Sequence, residues 1–330
     1  MQTRRDFIRA AGLGSASLFM PVPSPLRLPA QPAGELRLSL AQWSLHRALN
    51  AGQLKPVDFP RTALETYGIA AVEYVNQFYT DQARDLAFWK ELRQQTDDLG
   101  VTNVLIMVDN EGLLGDPDPG RRQEAVGNHM KWAEAAHALG CHAIRVNAFG
   151  SGSREQLREN LSDGLGRLAE KTTPLEISIL VENHGLHTSD GRFMADLIRG
   201  VGHPGLGTLP DFGNWCLAVE WGSTQGGTCP DNYGPEKGVA DFLPLAGGVS
   251  AKSYDFDADG NETLLPYRQL LQQVKDAGYQ GHIGIEYEGN RLSEPEGIRA
   301  TKALLERLWP TLDCPSAPCR KRLIPGQPIW

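Results

Sequence analysis

The chain has 330 residues, with 32 Lys and Arg against 40 Asp and Glu, a formal net charge of −8, 41% hydrophobic residues and 22% charged ones. That average apolar share with mixed charge excludes disordered, collagen-like and coiled-coil classes. Gly (36) and Pro (22) are enriched, which suits a chain of many turns, and no apolar run reaches the roughly 18 residues of a membrane span.

Residues 1–33 stand apart from the rest. Met1 to Arg9 reads M-Q-T-R-R-D-F-I-R, and the Arg4-Arg5 pair is followed by a weakly apolar, small-residue stretch from Ala10 to Met20. This arrangement resembles a twin-arginine export signal, so the expected partner is the Tat-type export machinery and the expected location is the bacterial periplasm or beyond. A surface helix with two chance arginines explains neither the position nor the apolar continuation. Without this leader the body carries −11, a poor balance for a nucleic-acid binder, because affinity for phosphates rests on Lys and Arg. Five cysteines include no C-x-x-C; Cys216 with Cys229, or Cys314 with Cys319, are pairs within reach, whereas Cys141 reads as a small buried side chain.

From Leu36 short β-branched or apolar runs alternate with helical patterns. Strands are predicted at 36–43, 69–75, 101–108, 142–148, 177–182, 206–211, 248–253 and 282–287. Helices are predicted at 58–67, 80–99, 121–139, 153–171, 190–200, 236–246, 264–277 and 294–308. Gly68, Gly100, Gly140, Gly200, Gly247 and Gly278 mark helix-to-strand junctions, where a left-handed residue ends a helix. Strands joined by such helices must run parallel, and eight units predict an α/β chain folded as a single (β/α)8 TIM barrel over 34–310. An open doubly wound sheet would need a Gly-x-Gly-x-x-Gly after the first strand, and there is none. Residues 311–330 form a Pro-rich C-terminal extension. The long 212–235 segment is read either as a cover over substrate, with Trp215, Trp221 and Tyr233 as stacking faces, or as a loop packed on its own aromatics.

A parallel barrel carries its site at the C-terminal strand ends, so polar residues that terminate apolar runs are the candidates. They are Glu73, Asp109, Asn147, Glu182 with Asn183 and His184, Asp211 with Asn214, Ser250 with Lys252, and Glu286. Glu182, Asp211 and Glu286, from strands five, six and eight, are expected to converge, and like charges in a partly desolvated place raise their pKa values or share a cation. Oxygen ligands favour Mg or Mn, with Zn if a histidine such as His184 joins. Each acid taken singly could instead cap a helix or pair with an arginine. Glu73, Asn147, Asn183, Asn214, Trp43 and His46 are read as substrate-binding, and Lys252 as a group that steadies a developing oxyanion or forms a rim salt bridge. The segment N-A-F-G-S-G-S-R offers a weak anion site at a helix start.

The motifs V-E-N-H, P-D-F-G-N, S-A-K-S and G-I-E-Y-E-G on this eight-unit layout resemble the xylose isomerase-like TIM-barrel superfamily, the sugar phosphate isomerase/epimerase group that includes AP endonuclease family 2, over about Glu35 to Trp309. The resemblance implies a divalent metal held by Glu182, Asp211 and Glu286, with Glu182 and Glu286 exchanging protons with a sugar. Where such members often show His-x-Lys on strand seven, this chain has Ser250-Ala251-Lys252. The expected function is an exported isomerase or epimerase acting on a sugar or keto-sugar through an enediolate. A keto-sugar lyase, a DNA-cleaving enzyme and a non-catalytic sugar-binding barrel are the alternatives, and the acidic body argues against the second.

Overall fold

The computed structural model describes residues 35–225 and 229–313; the twin-arginine leader, Cys314, Cys319 and the remainder of the Pro-rich extension lie outside the described residues. Eight short strands form where the apolar runs predicted them: β1 (Leu38–Ala41), β2 (Ala71–Val75), β3 (Thr102–Val108), β4 (Ala143–Asn147), β5 (Ser178–Glu182), β6 (Leu206–Leu209), β7 (Val249–Ser253) and β8 (Ile283–Tyr287). They pair in parallel in the order β6-β5-β4-β3-β2-β1-β8-β7. Parallel bridges of Thr208 with Ala246 and Asp211 with Ser250 close the remaining seam, and the result is a (β/α)8 barrel.

The outer layer comprises α1 (His46–Asn50), α2 (Phe59–Tyr67), α3 (Leu86–Leu99), α4 (Pro119–Leu139), α5 (Arg154–Thr172), α6 (Gly191–Val201), α7 (Pro235–Phe242), α8 (Tyr267–Asp276) and α9 (Glu294–Leu308). The helix expected from residue 80 begins only at Leu86. Asp85 accepts hydrogen bonds from the backbone N–H groups of Ala87 and Phe88, so this cap fixes the start and leaves residues 76–82 in 3₁₀ turns. Gly68, Gly100 and Gly140 end their helices in the left-handed conformation, as expected. Gly200 does not: it lies within α6, and Gly202, at φ 67°, is the capping residue. Gly247 serves contact rather than conformation, since a Cβ there would stand 2.6 Å from Leu180 Cδ2.

Strand alternation sorts the side chains into two cores. Ala41, Ala71, Leu105, Met107, Ala143, Leu180 and Leu209 fill the barrel interior, while Leu40, Val72, Ile106, Ile144, Ile179 and Ile285 face the helices. Continuing the inward parity by two residues leads to Glu182 after Leu180, to Asp211 after Leu209 and to Arg145 after Ala143. The polar floor of the barrel mouth therefore rests directly on the apolar interior. Among the described residues no helix is long and apolar enough to cross a membrane.

Candidate active site

At the C-terminal end of the strands lies a cavity of about 370 Å³, lined among others by Trp43, Arg145, Asn214, Trp221, Lys252 and Glu286. Beneath it Glu182, Asp211 and Glu286 each offer a carboxylate oxygen, all within 4.8 Å of one another and all buried. Three residues separated widely along the chain meet because β5, β6 and β8 end on the same rim.

The surroundings shift two of these acids. Burial lifts Glu182 well above the usual carboxylate range against the pull of Arg145. Burial also pushes Asp211 up to about 7, with Lys252 and a hydrogen bond from Ser250 opposing it. Ser250 Oγ lies 2.6 Å from Asp211 Oδ2 and 2.9 Å from Glu286 Oε2, although one hydroxyl proton can serve only one of them. Lys252 Nζ sits 3.0 Å from Glu288, 3.6 Å from Glu286 and 4.0 Å from Asp211. Burial alone would lower this ammonium's pKa, but Asp211, Glu286 and Glu288 raise it well above its ordinary value, so it stays charged.

Arg145 is the second buried cation. It pairs with Asp109 and places Nε 2.8 Å from Glu182 Oε2. That N–H is not aimed along the line, however, and Glu182 Oε2 has no hydrogen-bond partner. Five carboxylates (Asp109, Glu182, Asp211, Glu286, Glu288) thus share two cations in a desolvated volume. A buried carboxylate oxygen without a hydrogen bond, inside an acidic trio, suits a divalent cation.

His184 stands beside the trio. Its Nδ1 lies 2.7 Å from Asn147 Oδ1 and 3.7 Å from Glu182 Oε2. Burial first, then Arg145 and Lys252, hold it well below its ordinary pKa and so neutral. With Nδ1 engaged by Asn147, the Nε2 side is the one left for a metal or a hydroxyl.

The remaining candidates divide by depth. Trp43 and Asn214 line the cavity, and Asn214 Nδ2 is buried without a partner. His46 stacks on Trp43 with centroids 4.7 Å apart and supports it from behind. Asn147 donates to Asp109 Oδ1 at 2.7 Å and so orients its neighbours. Asn183 donates to the carbonyls of Asp211 and Asn214 and accepts from the Asp211 N–H, which fixes the turn carrying Asp211 rather than a substrate. Glu73 is a correction: it is mid-strand in β2, hydrogen-bonded by Ser39, and lines a separate cavity with Arg37, Gly247 and Gly281 at the N-terminal strand ends. Its carboxylate lies level with Gly284 of β8, where a Cβ would stand 2.7 Å from Glu73 Oε1, two residues below Glu286 and so below the mouth.

The 212–235 segment answers to both readings of it. Trp215 is fully buried against Phe242 and Tyr233, whereas Trp221 is 40% exposed and lines the mouth. A disulfide joins Cys216 to Cys229, and Cys141 is a free, buried thiol. The weak anion site before α5 is absorbed by a capping box between Ser153 and Gln156. Arg145 and Glu288 escaped the sequence reading. Both were within reach, since Arg145 shares a strand face with Asn147 and Glu288 with Glu286.

Residues 62–308 match the family model described as xylose isomerase-like TIM barrel. A 72-residue stretch is 35% identical to the 3'-dehydrocarminate deglycosidase alpha subunit of a Microbacterium species, covering 21% of each chain, so the match spans about a fifth of that relative's length. In overall fold the chain is similar to the IOLI protein solved with a zinc atom, at TM-score 0.61 and 12% identity over 84% of this chain and 99% of that one. It is likewise similar to apo 3-keto-D-glucoside 4-epimerase YcjR of E. coli, at TM-score 0.55 and 15% identity over 83% of this chain and 100% of that one. At such identities the solved structures speak for the fold alone.

Proposed function

The chain belongs to the xylose isomerase-like TIM barrel family, and on that premise we propose that it is an isomerase or epimerase of a sugar or keto-sugar, working by proton removal next to a carbonyl. The observation that carries the reading is the buried trio Glu182, Asp211 and Glu286, with a Glu182 oxygen that accepts no hydrogen bond, set under a cavity that Lys252 also lines. One glutamate takes the C–H proton, the bonding pair moves into the carbonyl to give an enediolate, and the other glutamate returns a proton to a second carbon or the opposite face. Lys252 stabilises the developing oxyanion. Glu182, Asp211 and Glu286, with the neutral His184 beside them, would hold a Mn or Mg ion, or Zn, which supplies Lewis acidity to the sugar oxygens. The second reading keeps the same first step. The enediolate expels a substituent from the adjacent carbon, which leaves with its electron pair; the likeness to a deglycosidase subunit favours this.

The test is deuterium uptake from D₂O into a panel of neutral keto-sugars, with metal content measured on the same preparation. We expect a stoichiometric divalent ion, uptake that EDTA abolishes and uptake that Mn restores. Exchange that survives complete metal removal would sink the metal-assisted reading.

Export belongs to the same proposal, supported by the Arg4-Arg5 leader and by the Cys216–Cys229 disulfide, which suits an oxidising compartment. Fractionation should find the native chain outside the inner membrane and the Arg4→Lys/Arg5→Lys chain inside the cell. Equal distribution of the two would refute it.

A further inference from the structure

The charges that line the mouth speak to the substrate as well as to the metal. Both cations lining the cavity are already committed: Arg145 to Asp109 and Glu182, and Lys252 to Asp211, Glu286 and Glu288. Barrels that take phosphates do so mainly at the loops after strands seven and eight and at a helix N-terminus there. In this chain that corner is acidic. The loop after β8 carries Glu288, and α9 begins with Glu294 and Glu296 in its first turn, inside a capping box with Ser293. The nearby Arg291 is paired with Asp255 and the Phe256 carbonyl, and Arg47 with Glu294 and the Gly289 carbonyl. The positive end of α9 is occupied by the protein's own carboxylates, and a phosphate dianion would meet acids where it needs donors.

Two indoles provide the other half of the pattern. Trp43 lines the cavity with its Nε1 donating to Glu288 Oε1 and one face covered by His46. Trp221 lines it from the 212–235 segment. Its backbone is left-handed at φ 68°, which costs a bulky residue on the order of 1–3 kcal/mol and persists only where surrounding contacts enforce it. Those contacts are visible: Cys216 N–H donates to Gly222 O at 3.1 Å, Leu186 N–H to Val219 O at 3.1 Å, and the ring packs edge-on against His184 and Phe149. The backbone thus holds Trp221 at the lip of the acidic cavity, with His184 and Phe149 at its edges and 40% of the residue still exposed.

We propose that the site takes an uncharged glycoside, its sugar unit over the acidic trio and an apolar or aromatic substituent between Trp43 and Trp221, and that it rejects phosphorylated sugars. This rests on the reading of the mouth as a sugar site and narrows its substrate class. Neutral hydroxyls can donate to the carboxylates that line the mouth and accept from Asn214 Nδ2, whereas a phosphate would meet Glu286 and Glu288 with both cations already paired.

Calorimetry on the full chain with metal restored tests this without requiring turnover, using D-tagatose against D-tagatose 6-phosphate and a phenyl against a methyl 3-keto-β-glucoside. The neutral sugar is expected to bind at least roughly 100-fold more tightly than its phosphate, given several kcal/mol for juxtaposed like charges. The phenyl glycoside should gain about tenfold over the methyl one, and Trp221→Ala should bring that phenyl-to-methyl ratio down to about one. Phosphate binding as tight as the neutral sugar, a phenyl preference indifferent to Trp221→Ala, or no binding by any neutral member each overturns the inference. Binding that follows the expected pattern without deuterium exchange leaves the inference standing and removes only the isomerase reading.

Discussion

Glu182→Gln and Glu286→Gln are each expected to lower the rate of deuterium exchange by about 10²- to 10⁴-fold, the range supplied by a positioned acid or base. Glutamine preserves volume and one acceptor oxygen, so the loss reports the carboxylate's charge and proton affinity rather than a collapsed site. The two variants should differ in their second readout. Glu182 is paired with Arg145 and holds an oxygen that accepts no hydrogen bond, so Glu182→Gln leaves the guanidinium with Asp109 as its one paired carboxylate and removes a carboxylate from the trio. Glu286 shares Ser250 and Lys252 with Asp211, and Glu286→Gln leaves that ammonium two carboxylates, Asp211 and Glu288. Metal content is therefore expected to fall further in Glu182→Gln. Circular dichroism of both variants must match the parent chain. Either variant retaining more than about a tenth of the parent exchange rate at full metal load would contradict the assigned roles.

Much of this arrangement is legible in the sequence, for a definite reason. A repeating strand and helix can close only one way when eight units run parallel, so the position of a polar residue along its strand becomes a coordinate in space. That coordinate located Glu182 at the end of β5, Asp211 two residues past β6 and Glu286 one residue short of the end of β8. It failed at Glu73 because the apolar run around it extends beyond the carboxylate, and depth along a strand, not polarity, decides which end of the barrel a side chain serves. Arg145 was passed over for a related reason. A charged residue inside an apolar run reads as an interruption until alternation is applied, when it joins Asn147 on the inward face. The aromatic segment resisted for a different reason. Trp215, Trp221 and Tyr233 are equivalent as letters, and only the turns around Cys216 and Gly222 decide that Trp215 is buried and Trp221 looks over the mouth.

Glu73 itself gives the second large effect, on stability rather than activity. Its carboxylate is buried in the barrel, accepts a hydrogen bond from Ser39 at 2.6 Å and has a second oxygen without a partner. Gly284 of β8 makes the room, since a Cβ there would stand 2.7 Å from Glu73 Oε1. Burial, with Ser39 opposing and Glu286 adding to it, pushes its pKa up to about 7, against about 4.3 in an unfolded chain. Between those values the native state holds a proton that the unfolded state has released, so stability falls as pH rises. The contribution is complete below about 4.3 and lost through about 7, a difference on the order of 3 kcal/mol. Glu73→Gln keeps an acceptor for Ser39 and cannot ionise. Denaturant unfolding at pH 5 and pH 8 should therefore show the parent chain losing about 2.5 kcal/mol more than the variant over that interval. The slopes arising from Glu182 and Asp211 are common to both chains and cancel in the comparison. Identical pH slopes would mean that Glu73 is already ionised in the native barrel, compensated by Arg145, the cation whose charge already opposes the upward shift.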